Sequence, residues 1–168
     1  MDADLRETLL EYLATHNTLT LATVGPDGPA AAGLFYVSDS SFRLYFLSAS
    51  HARHVENLKH DATVAVTIHE DYRDWQQIQG IQMRGEAHVI TSPLAHARAM
   101  ERYVRKYAFV RDFVSDPKRA GEILSQKIAR STFHVIEPHW IRWIDNRTGF
   151  SFRREYDLLS NRELSLEQ

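Results

Sequence analysis

Tyr45-Phe46-Leu47-Ser48-Ala49-Ser50-His51-Ala52-Arg53-His54 is the stretch whose residue types and spacing best suit chemistry. A strand-like run ends in hydroxyls and passes directly into a helix start that carries Arg53 and two imidazoles. Free backbone N–H groups, the helix dipole, the hydroxyls of Ser48 and Ser50, and Arg53 would converge on one point. That convergence is what a phosphate monoester requires. In the plainer reading Ser48 and Ser50 merely cap the helix and Arg53 is a solvated charge. Spacing alone leaves both open.

Nine histidines raise the question of metal or haem. His51 and His54 lie three apart and His134 and His139 five apart, but neither pair has the acidic or thiolate partners of a familiar zinc motif, which favours scattered surface imidazoles. A single exposed imidazole such as His54 or His139 is a candidate axial ligand under a haem reading. Trp140, Trp143 and Phe150 near the end are able to stack on a ring system, although tryptophan more often anchors a core or an interface. The sequence contains no nucleophile elbow, P-loop or dinucleotide fingerprint. ARAMERYVRKYAFVR mixes cations with Glu101 and tyrosines and reads as a solvated helix face rather than a nucleic-acid reader.

The elements that must position these groups follow from periodicity. Leu5, Leu9, Leu10 and Leu13 define an amphipathic helix over about residues 4–16. LTLATV and AAAGLFYV are β-compatible runs joined through Gly25-Pro26-Asp27-Gly28-Pro29, a hairpin, and FRLYFLS is a third strand. Ser50 is placed as the cap of a short helix containing Val55 and Leu58. ATVAVTIH is a fourth strand, and IQGIQMRGEAHVI a long one whose two glycines predict bulges or bends. Ser92-Pro93 opens a helix, with further helix to about Ile128. STFHVIEPHWIRWID and GFSFRREY finish as strand, turn and strand, and residues 159–168 read as a fraying tail. The expected fold is α+β: an antiparallel Greek-key or split β-barrel of about six strands with flanking helices. One domain over residues 1–158 accommodates it. A barrel this small fills its own interior, so a ligand must sit at a mouth, on the outside, or in a groove shared with a second subunit.

Composition sets the outer bounds. The chain of 168 residues, 43% hydrophobic and 25% charged, has no apolar run able to span a bilayer. Its start carries acids among leucines and lacks the features of a secretory signal, so a cytoplasmic location is expected. Absence of cysteine removes disulfides, thiolate metal sites and cysteine nucleophiles, and a net charge of −2 gives no overall attraction to nucleic acid.

LTLATVGPDGPAAAGLFYV, YFLSASHARHVENL and GIQMRGEAHVI, in that order, resemble the pyridoxamine-phosphate-oxidase-like FMN-binding split barrels. With YVRKYAFVR and WIRWIDNRTGF the set is similar to a small bacterial branch of that superfamily. The resemblance implies a homodimer holding two FMN molecules at its interface. It assigns Ser48 as the strand-end hydroxyl and Arg53 as the helix-start arginine of the phosphate site. His54 stands where the oxidases usually carry lysine, and Ala32 and Val37 replace cations of the preceding strand, which argues against true pyridoxamine-phosphate oxidase activity. The expected cofactor contacts are Ala32, Leu34, Leu47, Ser48, Ser50, Arg53, His54, Gln82 and Trp143; Gln82 stands where the family brings polar side chains near the flavin, often from the second subunit, although a glutamine on a half-exposed strand is more often plain surface. No catalytic side chain or metal ligand is assigned. The expected function is an FMN-dependent oxidoreductase acting on a small molecule. The alternatives are a haem or tetrapyrrole binder on the same fold and a cofactor-free dimeric interaction module.

Overall fold

The computed structural model describes residues 1–115 and 130–164. Alternation of apolar and small side chains builds β1 (Thr18–Gly25), which turns Leu19, Leu21 and Thr23 inward. Gly28 adopts φ 98°, a left-handed value that side chains resist, and this lets a two-residue loop at Pro26-Asp27 return the chain as β2 (Gly28–Ser38). β3 (Leu44–Ala49) pairs with β2, and a helix, α2 (Arg53–Leu58), carries the chain across to β4 (Thr63–His69). β4 pairs back on β1, β5 (Gln79–Val89) adds beside β4, and β6 (Ser131–Asp145) adds beside β5.

The first half of β6 also pairs with β3, from Leu44 opposite Ile136 to Ala49 opposite Ser131. This closes an antiparallel barrel in the order β3-β2-β1-β4-β5-β6. Beyond the closure the sheet continues from β6 through β7 (Arg153–Asp157) to β8 (Arg162–Leu164). The stretch expected to fray therefore contributes a strand as far as Leu164, tied down by Arg154, whose guanidinium bonds both carboxylate oxygens of Glu163 at 2.8 and 2.9 Å. Residues 165–168 lie outside the described residues.

The interior is filled by Leu19, Leu21, Tyr36, Phe46, Val66, Ile81, Met83 and Ile136, leaving no central channel. Helix α1 (Ala3–Thr15) packs on this core through Leu5, Leu9, Tyr12 and Leu13, and Asp2 caps it at the Leu5 N–H. α3 (Pro93–Lys106), capped by Ser92 as expected, and α4 (Ala108–Ser115) cover the outer face of β2, β3 and β6. The helical reading toward Ile128 falls, beyond Ser115, outside the described residues. Lys106 reaches back to the carbonyls of Leu13 (3.3 Å) and His16 (2.5 Å), supplying the cation that the last turn of α1 itself lacks. Burial pushes its amine down to about 8. Among the described residues no helix is long and apolar enough to cross a membrane.

Of the two glycines expected to bend β5, one does. The register slips between Arg84 and Gly85, whereas the ladder runs regularly through Gly80. A methyl group on Gly85 would lie 2.3 Å from the Glu137 carbonyl oxygen, closer than atoms approach, so β6 crosses here because the side chain is missing. Gly85→Ala should cost about 1–3 kcal/mol of stability in a denaturant melt. Gly33→Ala, whose new methyl meets nothing within 4 Å, is the control expected to leave the midpoint unmoved.

Candidate functional site

The closure of β3 on β6 places Ser48 opposite Thr132, with Ser48 turned to the barrel end that α2 covers. There the Ser48 Oγ lies 2.7 Å from His54 Nε2. Ser48 is 7% exposed and His54 9%, so each is the other's polar partner in a buried setting. Burial holds the His54 imidazole below its ordinary value, leaving it neutral at neutral pH. His54 therefore stands behind Ser48 rather than beside it as a surface cation.

Ser50 does not cap α2. The chain first makes a turn in which the Ala52 N–H bonds the Ala49 carbonyl at 3.0 Å, so the helix begins at Arg53 with Ala52 at the cap position and no side-chain cap. Ser50 stays exposed two residues earlier. Arg53 is exposed as well and pairs at 2.9 Å with Asp27 of the β1–β2 turn.

One residue back along β3, Leu47 faces the other way, into a groove of about 240 Å³ between the sheet and the α3–α4 pair. Gly33, Leu34 and Phe35 of β2 and Phe133 of β6 form its floor, and Met100, Tyr103 and Val110 its roof. Tyr103 fixes the roof by donating to the carbonyls of Phe35 (2.7 Å) and Tyr45 (3.2 Å), and Tyr107 donates to that of Asn17 (3.0 Å) and to Tyr36 O. Burial raises both phenols above their ordinary value, keeping them as donors. The basic segment ARAMERYVRKYAFVR is thus not simply a solvated face: its tyrosines clamp the helix to the sheet. Ala32, opposite Leu21 and half-buried, brings only backbone near this groove.

Gln82 and Trp143 are elsewhere. Gln82 lies opposite Arg142 on β6, ten residues from the Thr132 that faces Ser48, which puts about 33 Å of strand between them. It lines a second cleft of about 420 Å³ on the outer face of β1, β4, β5 and β6, accepting from Arg142 at 3.0 Å. Trp143 corrects the expectation of a cofactor contact: it shares the inward face with Ile141 and meets the Tyr12 ring edge-on at 5.1 Å, 4% exposed. Trp140, favoured as a core or interface anchor, is 8% exposed and faces the Gln82 cleft, covered by the guanidiniums of Arg84 (4.1 Å) and Arg142 (5.0 Å). Alternation along β6 turns the two to opposite faces. Phe150 is 81% exposed and touches only Trp75 among the described rings.

The sequence reading took His134 for a scattered surface imidazole, and the structure buries it. It is 3% exposed, stacked on Phe46 at 5.0 Å, and lies near enough to His54 for the two charges to oppose each other. Its position opposite Phe46 in the closing ladder, which no local pattern reveals, is what buries it.

A closed six-stranded Greek-key barrel with helices over one outer face defines the split-barrel class. The chain belongs to the pyridoxamine 5'-phosphate oxidase family, whose model matches residues 5–142. A UPF0306 protein of Klebsiella pneumoniae is 27% identical over 140 residues, covering 83% of this chain and 84% of that one. A UPF0306 protein of Photorhabdus laumondii is 38% identical over 76 residues, which span 45% of this chain and 53% of the relative. Among solved structures, one described as a haem-binding protein from Mycobacterium smegmatis superposes with a TM-score of 0.70 at 17% identity, over 96% of this chain and 61% of that one.

The buried imidazoles set a pH dependence of stability. Unfolded histidine titrates near 6.5, and burial lowers His54 and His134 in the fold, so below that value the unfolded chain binds more protons. Stability should fall as pH drops from about 7.5 to about 5.5 and level off above 7.5. Thermal melts across that range check this, and His54→Gln should reduce the fall. An equal fall in the variant would contradict the assignment.

Proposed function

We propose that this chain binds FMN in the groove over β2 and β3 and works as a homodimeric flavin-dependent oxidoreductase on a small molecule. The observation that carries the reading is the groove itself, an apolar slot one residue along β3 from Ser48, in a chain of this family. A flavin needs an apolar slot for its ring and convergent donors for its phosphate.

The donor set fits the phosphate, with fewer charges than the resembled oxidases. Arg53 is the permanent cation, and its exposed pair with Asp27 is of the kind that contributes little, so a phosphate dianion replaces it at small cost. With the proton on Nε2, His54 donates to Ser48 and frees the Ser48 hydroxyl, which turns to the opposite face of β3 from the groove, to donate to a phosphate oxygen that reaches past the end of the strand. Ser50 offers a second, exposed hydroxyl. Val37 is 2% exposed beneath α3, so β2 presents no cation at that position. Bound FMN would supply the hydride or electron transfer, and the protein holds, orients and shields it. Gln82 lies too far from Ser48 to meet the same flavin within one chain, so its role requires a second copy whose outer face carries the Gln82 cleft.

The haem-binding neighbour supports a second reading, a tetrapyrrole binder. Because His54 is committed to Ser48, half-buried His139 is the remaining candidate ligand of the two from the sequence. A visible spectrum of the purified protein with added FMN or haemin separates flavin bands from a Soret band. Neither would favour the interaction module.

Arg53→Ala should weaken FMN by at least about 1.5 kcal/mol, roughly tenfold, in a fluorescence titration. An unchanged Kd would show that the phosphate lies elsewhere. Light scattering should give twice the 19.4 kDa chain mass, and a single-chain mass at micromolar concentration would remove the shared site.

A further inference from the structure

At the barrel end beneath α2 lies a cavity of about 400 Å³, on the opposite side of β3 from the flavin groove. Val55 and Leu58 of α2 and Ala87 and Val89 of β5 give it an aliphatic wall. Ser50 and Thr132 line it as well, and His134 forms its buried polar point.

The hydrogen bonding of His134 fixes what that point offers. Its Nδ1 lies 3.1 Å from the Thr132 carbonyl oxygen, which can only accept, so Nδ1 carries the proton. Burial keeps the ring neutral, so Nε2 presents a bare lone pair. Nε2 has no partner among the described residues, yet no buried side-chain nitrogen or oxygen there is left unsatisfied. Nε2 therefore keeps contact with accessible space, and the accessible space that His134 lines is this cavity.

The rim decides the charge of an occupant. Lys59 is already paired with Glu56 at 2.7 Å, and His88 with Glu86 at 3.2 Å. Each has a carboxylate beside it, so an anion at the rim would also face Glu56 and Glu86. The volume falls at the small end of ligand sites, and an aliphatic wall with one inward acceptor matches an apolar body with one donor.

We propose that this cavity is a binding site for a small, uncharged, largely apolar molecule carrying one hydroxyl or N–H donor, of the phenol class, which donates to His134 Nε2. The site shares only Ser50 with the FMN reading and uses neither Arg53 nor the groove over β2 and β3.

The test uses p-cresol and 4-methylanisole, which differ in the donor, on the protein without added flavin. Calorimetric titration should show p-cresol binding about five- to tenfold tighter, the worth of one neutral hydrogen bond. In nitrogen-detected NMR the His134 Nε2 resonance should move on adding p-cresol and stay in place with the ether. His134→Phe should abolish the preference, and His134→Gln, which keeps an acceptor, should retain part of it. Because His134 stacks on Phe46, the Gln variant serves if the Phe variant fails to fold. Equal affinities for the two probes, an unmoved Nε2 resonance, or no saturable binding at millimolar concentration would each overturn the assignment.

Discussion

The pairing of β3 with the first half of β6 is the constraint on which the rest of this structure depends. It joins strands almost ninety positions apart, between Leu44 and Ile136 at one end and Ala49 and Ser131 at the other. Without it the sheet would remain open, with β3 and β6 presenting unpaired edges. With it, side-chain alternation becomes a division of space. Phe46, Ser48, Thr132 and His134 turn toward the barrel end, while Tyr45, Leu47 and Phe133 turn outward under α3 and α4. The same few residues thus wall two separate cavities, back to back.

Hydrogen bonds then fix the two sides differently. On the outer side, Tyr103 and Tyr107 spend their hydroxyls on backbone carbonyls of β2, β3 and the start of β1's strand region, holding the groove open as a slot rather than letting helix and sheet collapse. On the inner side, polar groups are buried and must find partners near at hand: Ser48 with His54, Asn57 with Thr23 at 3.0 Å, His134 with the Thr132 carbonyl. Gly25 permits this closeness, since a methyl there would overlap the Asn57 amide at 2.0 Å. The neutrality of both imidazoles follows from that burial.

The first hairpin, the helix after Ser92 and most element boundaries were legible in the sequence because they rest on local rules. Gly25 through Pro29 announces a hairpin, Ser92-Pro93 a helix start, and alternation in FRLYFLS and ATVAVTIH a pair of strands. Family resemblance located Ser48, Arg53 and Leu47 in one neighbourhood. What failed depended on register and distance. Trp143 turns inward, away from any cofactor, because the slip opposite Gly85 sets which face of β6 points inward. Ser50 lost its capping role to an extra turn, His54 its surface exposure to Ser48, and His134 its surface reading to burial against a partner strand far away in sequence.

The account's central claim is that the flavin ring lies against the outer face of β2 and β3, with the phosphate toward Arg53. Methyl-labelled protein titrated with FMN tests it by intermolecular nuclear Overhauser effects. The account predicts cross-peaks from the flavin ring protons to the methyls of Leu47, Met100 and Val110, with none to Val55 or Leu58. Cross-peaks to Val55 and Leu58 instead, or FMN bound without any contact to Leu47 and Met100, would contradict it.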